Sequence, residues 1–192
     1  MDEPKPRRLT RRQLIGGGLA LAGTGVAAGL WDNALRLTRH TLRLPRWTAN
    51  GFRVAHLSDV HVNDRAKLAN AQAAVQLALD TDPDLIVFTG DFVNYTRPDC
   101  LENIREAFAE LALAKCPCLA VLGNHDYSCG APKTVVEAIR QTPLRLLVNE
   151  RVKVDGVHIV GFDDALHGKP DGGLIEGTRE NRLVLLHEPD AI

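Results

Sequence analysis

Four short stretches of the 192-residue chain carry side chains suited to metal chemistry: Asp59-Val60-His61, Gly90-Asp91, Gly123-Asn124-His125-Asp126, and His187. Together they offer carboxylates, an amide oxygen and imidazoles. This mixture of hard oxygen and borderline nitrogen donors suits Mn²⁺, Fe, Zn²⁺ or Co²⁺ rather than calcium. One carboxylate has two oxygens and can bridge a pair of ions. Ions about 3.5–4 Å apart can hold a hydroxide between them and clamp a phosphate. Each stretch alone has an ordinary reading. Asp-x-His after a strand also serves as a helix cap beside a surface histidine, and Gly-Asp and Gly-Asn are common in turns. Their joint order along the chain is the more specific signal.

The elements that must position these residues can be read from apolar patterning. Phe52 to Ser58 reads as a strand ending at Asp59. Leu85 to Phe88 is wholly apolar and runs into Thr89-Gly90-Asp91, and Cys118 to Leu122 runs into Gly123. Leu183 to Leu186 is a further buried strand, ending at His187. Between them, Arg65 to Asp80 has helical periodicity and is broken by Asp82-Pro83-Asp84, and Asp99 to Ala114 reads as a helix with Asp99 as N-cap. Strands alternating with helices imply parallel pairing, and near-continuous apolar strands imply burial on both faces. In such a sheet the carboxyl ends of the strands share one edge, where ligands bind, so residues distant in sequence meet there. The remainder is shorter-grained: a helix over Thr134 to Arg140, and strands over Arg145 to Val148, Val152 to Val154 and His158 to Phe162, with Asp155-Gly156 as a hairpin turn. The expected class is α/β, two sheets packed face to face and flanked by helices.

Composition narrows the function classes. Hydrophobic residues make up 45% and charged residues 24%, with a net charge of -1, so no nucleic-acid partner is expected. Cys100, Cys116, Cys118 and Cys129 are too sparse for a disulfide framework and read as small buried hydrophobes, with one bridge after export left open. The first forty-five residues read as an address. Thr10-Arg11-Arg12-Gln13-Leu14-Ile15 has the twin-arginine pattern, and the apolar stretch Ile15 to Leu30 is rich in glycine and short for a membrane span. Val26-Ala27-Ala28 is a passable cleavage site; if it is not cut, the segment tethers the protein and the basic stretch Arg36 to Arg46 lies near the bilayer. The expected division is therefore a signal and linker over 1–45 and a folded domain over 46–192.

Leu57-Ser58-Asp59-Val60-His61, Thr89-Gly90-Asp91 and Leu122-Gly123-Asn124-His125-Asp126 resemble the motifs of the calcineurin-like metallophosphoesterase superfamily, over roughly residues 50 to 192. With the leader, the chain resembles a bacterial envelope subgroup that includes phosphodiesterases and hydrolases of UDP-2,3-diacylglucosamine. The resemblance implies a two-sheet metallophosphoesterase sandwich and two divalent metal ions. Asp59 and His61 would bind the first ion, Asp91 would bridge, and Asn124 and His187 would bind the second. A metal-bridging hydroxide would attack phosphorus, and His125 would face the phosphate as the catalytic side chain. It also implies a phosphorylated small-molecule or lipid-linked substrate, the twin-arginine translocase as a partner, membrane association, and residence in the periplasm or on the outer face of the cytoplasmic membrane.

Two departures from the family pattern bear on these expectations. Relatives usually carry a final Gly-His-x-His that gives each metal one further ligand. The sequence holds none, so the reading is of a C-terminally incomplete domain, with a remnant that binds metal or phosphate without turnover as the alternative. Some relatives also carry an aspartate three residues after the bridging one, orienting the catalytic histidine. Asn94 stands there, and Asp126 is the candidate to substitute for it. His56, Tyr95, Arg97, Tyr127, Asp163 and Asp164 are read as packing, surface or turn residues.

Overall fold

The computed structural model describes residues 35–177 and 180–191. The expected leader, Thr10 to Leu30, lies outside them. Residues 1–36 form one unit and residues 37–192 another, and the elements below all belong to the longer unit.

The domain is an α/β sandwich of two sheets. The larger contains β1 (Val54–Leu57), β2 (Leu85–Thr89), β3 (Cys118–Val121) and β4 (Arg145–Leu146), paired parallel in that order. The smaller contains β5 (Glu150–Val154), β6 (Val157–Gly161) and β7 (Arg182–Leu185). There β5 and β6 form a hairpin, turned by Asp155 at φ 45° and Gly156 at φ 84°, and β7 runs parallel to β6. Helices α1 (Arg65–Asp80), α2 (Pro98–Phe108), α3 (Asn124–Ser128) and α4 (Pro132–Arg140) fill the connections of the larger sheet.

Pleating assigns the two cores. Alternate residues Ile86, Phe88, Cys118 and Ala120 face the helices, where they meet Leu68, Ala71 and Val75 of α1 and Ile104, Ala107 and Phe108 of α2. Their neighbours Leu85, Val87, Leu119 and Val121 face the other sheet, against Val154, Val157, Ile159 and Leu185. Both central strands are therefore buried on both faces, as continuous apolar runs require. Gly161 lets the sheets close, since a Cβ there would lie 2.3 Å from the Leu147 Cβ. On the helical side Phe88, Phe92 and Phe108 form a buried cluster with centroids 4.8–6.4 Å apart. Its Phe88 and Phe92 bracket Asp91, so the strand end that carries the chemistry is rooted in packed core.

Several boundaries differ from the sequence reading, each for a local reason. Helix α2 starts at Pro98, with Arg97 at the N-cap position and Asp99 inside the first turn; proline is preorganised for the first helical position. It ends at Phe108 and tightens into a 3₁₀ turn over Ala109–Leu113 instead of continuing as α-helix to Ala114. Helix α4 likewise begins on a proline, Pro132, ahead of Thr134. Strand β1 is not buried on both faces: it pairs only with β2, and Val54 and His56 are exposed. The stretch from Arg145 belongs to the larger sheet as its fourth parallel strand and stops at Leu146. Residues 124–128, to which the sequence reading gave no helix, form the short helix α3.

Candidate metal centre

Strands β1, β2 and β3 end side by side, and the loops leaving them are joined by backbone hydrogen bonds. Asp59 N–H donates to the Gly90 carbonyl at 3.2 Å, His61 to Asp91 at 3.1 Å, and Val62 to Phe92 at 2.8 Å. To keep this register while turning side chains toward one point, Asp59, His61 and Asp91 adopt left-handed backbone, with φ of 55°, 41° and 59°. Such conformations cost about 1–3 kcal/mol at non-glycine residues and persist where surrounding structure enforces them. Gly90 and Gly123 make the close approach possible. A Cβ on Gly90 would sit 2.5 Å from the Gly123 backbone nitrogen, and one on Gly123 would sit 2.4 Å from Asp91 Oδ1.

Asp126 clamps the arrangement. Its buried carboxylate accepts four backbone N–H bonds: Asp91 (2.9 Å) and Gly123 (3.0 Å) on Oδ2, and Phe92 (2.8 Å) and Val93 (3.2 Å) on Oδ1. Burial pushes its pKa up to about 7, opposed by these N–H donors and reinforced by the nearby Asp91 charge. Both oxygens are thus used by the backbone of the second and third loops, and the residue sits behind the site. The exposed Asn94 is held through its own N–H, which donates to Asn63 Oδ1 at 2.7 Å.

The ligand atoms of Asp59, His61 and Asp91 lie within 4.8 Å of one another. Asp91 is buried; its Oδ1 accepts the His125 backbone N–H at 3.0 Å, and its Oδ2 lies 3.5 Å from His61 Nε2 and 3.4 Å from His187 Nε2. Both distances lie at the long limit of a hydrogen bond. They match donors sharing an ion, which stand roughly 3.4 Å apart when each is about 2.1 Å from it in tetrahedral geometry. His61 Nδ1 is buried and makes no hydrogen bond among the described residues. Burial lowers the His61 pKa, against the pull of Asp91 and Asp59, and so favours the neutral imidazole a metal needs. Burial pushes the Asp91 carboxyl up, but hydrogen bonding from His187 and from the His125 N–H outweighs it and its pKa is lowered. Anionic carboxylates, a neutral imidazole and this spacing fit a divalent cation.

His187 reaches the site from the other sheet, just beyond β7. Its Nδ1 lies 2.6 Å from the Thr89 carbonyl oxygen. A carbonyl only accepts, so Nδ1 carries the proton and Nε2 is the atom turned to Asp91. Hydrogen bonding to Asp91 raises the His187 pKa to about 9, against burial. His187 stands outside the Asp59–His61–Asp91 trio and approaches it through Asp91 alone. Asn124 opens α3, half-buried and adjacent to His125 in sequence. The His125 ring meets the His61 ring edge to face, with centroids 5.4 Å apart.

Some supporting residues were not singled out by sequence reading. Thr89 accepts His187 and Ser58 through its carbonyl, while its hydroxyl meets His56 Nε2 at 2.7 Å. Asn63 carries a buried carboxamide that ties the first loop to Asn94 and Tyr95. Thr89 enters the sequence reading only as the first residue of its motif, and Asn63, two residues past His61, carries no signal of its own. Tyr127 and Asp163, read as packing and turn residues, hydrogen-bond to each other and link α3 to the loop after β6.

A model of the calcineurin-like phosphoesterase family matches residues 52–189. The chain is 29% identical over 209 residues to the uncharacterized metallophosphoesterase YkuE of Bacillus subtilis, covering 96% of this chain and 71% of that protein. It is 31% identical to the UDP-2,3-diacylglucosamine pyrophosphatase LpxG of Chlamydia trachomatis, over 84% of this chain and 52% of the relative. It is 29% identical to the phosphodiesterase YaeI of Escherichia coli, over 81% and 59%. The chain thus spans little more than half the length of the latter two.

Proposed function

The chain belongs to the calcineurin-like phosphoesterase family, and on that premise we propose that it is a two-metal hydrolase of a phosphodiester or pyrophosphate bond in an envelope or lipid-linked substrate. The observation that carries this reading is the single buried oxygen, Asp91 Oδ2, set between His61 Nε2 at 3.5 Å and His187 Nε2 at 3.4 Å. Asp59, His61 and Asp91 would hold one ion, and His187 and Asn124, together with Asp91, would hold the other. Mn²⁺, Fe, Zn²⁺ and Co²⁺ all suit these donors. When bound, the ions supply positive charge against the phosphate and lower the pKa of water toward about 7. The protein's own contributions are distinct. Asp126 and the paired loops fix the ligands before substrate arrives, and the Thr89 carbonyl fixes the His187 tautomer. His125, whose ring meets that of His61 edge to face, would face the phosphate and give a proton to the leaving oxygen.

The relatives named as a pyrophosphatase and a phosphodiesterase support the bond type. The twin-arginine pattern at Arg11-Arg12 supports export before membrane-side or periplasmic work, with the twin-arginine translocase as partner. Among the described residues no helix is long and apolar enough to cross a membrane.

The test is hydrolysis of bis(p-nitrophenyl) phosphate by the full chain with added Mn²⁺ or Zn²⁺. Turnover should vanish with a chelator and fall about a thousandfold or more in Asp91→Ala. Full activity in metal-loaded Asp91→Ala would overturn the reading.

A further inference from the structure

The segment leading into the domain has a surface unlike the rest. From Leu37 to Leu44 the chain forms no helix or strand, and Pro45 and Arg46 make a turn; the stretch contains Arg39, His40, Arg43 and Arg46, and no Asp or Glu occurs between Asp32 and Asp59. Elsewhere several exposed arginines meet carboxylates: Arg53 with Asp82 and Asp84, Arg65 with Glu106, Arg97 with Asp99, Arg145 with Glu150, while Arg151 meets the Leu174 and Glu176 carbonyls. Arg39, Arg43 and Arg46 meet no carboxylate among the described residues. Interleaved with them are Leu37, Leu42 and Leu44, which are 42%, 76% and 51% exposed. Among the described residues, the hydrogen bonds that fasten the segment lie at its end. Trp47 Nε1 donates to the Ala49 carbonyl at 2.7 Å and its ring packs near Phe52, while the Thr48 and Ala49 N–H groups donate to Asn181 Oδ1 at 2.6 and 3.2 Å.

We propose that Leu37–Arg46 is a docking strap for the surface of an anionic phospholipid bilayer, with arginines on lipid phosphates and leucines in the acyl boundary. The mixture of residues selects this occupant. A nucleic acid or an acidic protein would pair the arginines and leave Leu42 in water, whereas a bilayer interface satisfies both. The inference rests on the envelope reading for a bilayer's being within reach, and it does not depend on the ester bond being cleaved. The strap is fastened through Asn181, just before β7, so docking holds the catalytic domain itself at the membrane.

The experiment uses the full chain with Trp31→Phe, which leaves Trp47 as the remaining one of the two tryptophans. Trp47 emission is recorded with vesicles of brominated phosphatidylcholine, alone or mixed with an equal part of brominated phosphatidylglycerol. This reads the strap's end even where residues 1–36 enter the bilayer by themselves. The expected result is quenching that requires phosphatidylglycerol, fades with added salt, and needs about tenfold or more lipid in Arg39→Gln/Arg43→Gln/Arg46→Gln. Leu42→Ser/Leu44→Ser should weaken it as well, and both variants should hydrolyse bis(p-nitrophenyl) phosphate as the parent does. Equal quenching in the arginine variant, or no preference for phosphatidylglycerol, overturns the proposal. So does competition by duplex DNA together with an unaffected leucine variant, which would mark the strap as a general polyanion binder. Loss of hydrolysis with docking intact, or the converse, separates failure of the catalytic reading from failure of this one.

Discussion

The two sheets contribute to the metal centre in opposite ways. The larger delivers Asp59, His61 and Asp91 from loops zipped to one another, seated on buried phenylalanines and clamped through four N–H bonds to Asp126. The smaller delivers His187 from the segment just after β7, fixed at the site by the 2.6 Å contact to the Thr89 carbonyl. One half is built into the core and the other is docked onto it. Rigid placement of strained ligands needs many backbone bonds, while a ligand that completes a site needs only the right ring nitrogen at the right distance.

This contrast is sharpest in what removal of each part should do. Asp126→Ala leaves four buried N–H donors without their acceptor, so we expect a stability loss of about 3–5 kcal/mol by urea unfolding, with metal binding lost alongside. His187→Ala, unfolded in urea above pH 9 where the stabilising proton on this ring is already lost, should shift the midpoint far less than Asp126→Ala does, and should weaken metal retention roughly a hundredfold, read by titration against a competing chelator. If the histidine variant unfolds as readily as the aspartate one, the distinction between built-in and docked halves fails.

A pH titration probes the docked half alone. The His187 pKa is raised to about 9 from its ordinary 6.5, so in the metal-free protein its proton favours the folded state fully below about 6.5 and that contribution is lost as pH rises through 9. Metal must displace this proton. Apparent metal affinity should therefore climb about tenfold per pH unit between these values and level off above, with one proton released per His187 engaged. A flat profile that becomes no flatter in His187→Ala would remove the histidine from the site. The smallest effect belongs to the link between the halves: Tyr127→Phe loses the hydrogen bond to Asp163 and should cost about 1 kcal/mol in stability, with activity reduced less than tenfold.

Sequence reading carried far where the physics is local. The apolar runs at Leu85, Cys118 and Leu183 marked strands, and the polar residues after them marked the shared edge, because side-chain period and strand termini are properties of neighbours in the chain. The hairpin at Asp155-Gly156 was legible for the same reason. The prolines at 98 and 132 were present in the sequence but yielded helix starts only once their place at the first helical position was seen. The exposed face of β1 was not legible, since an edge strand is defined by what fails to pair with it.

The sequence by itself determined which chemistry the chain can perform: carboxylates and imidazoles after three parallel strands, with glycines at the positions where loops must touch. Tertiary structure decided how those residues are held. Only the packed loops show that the Asp126 carboxylate is taken up by backbone N–H groups behind the site, and that the Thr89 carbonyl selects the His187 nitrogen turned to Asp91. Hydrogen-bond partners of this kind lie up to 98 residues apart and depend on backbone groups that every residue carries, so no pattern of side-chain types can announce them.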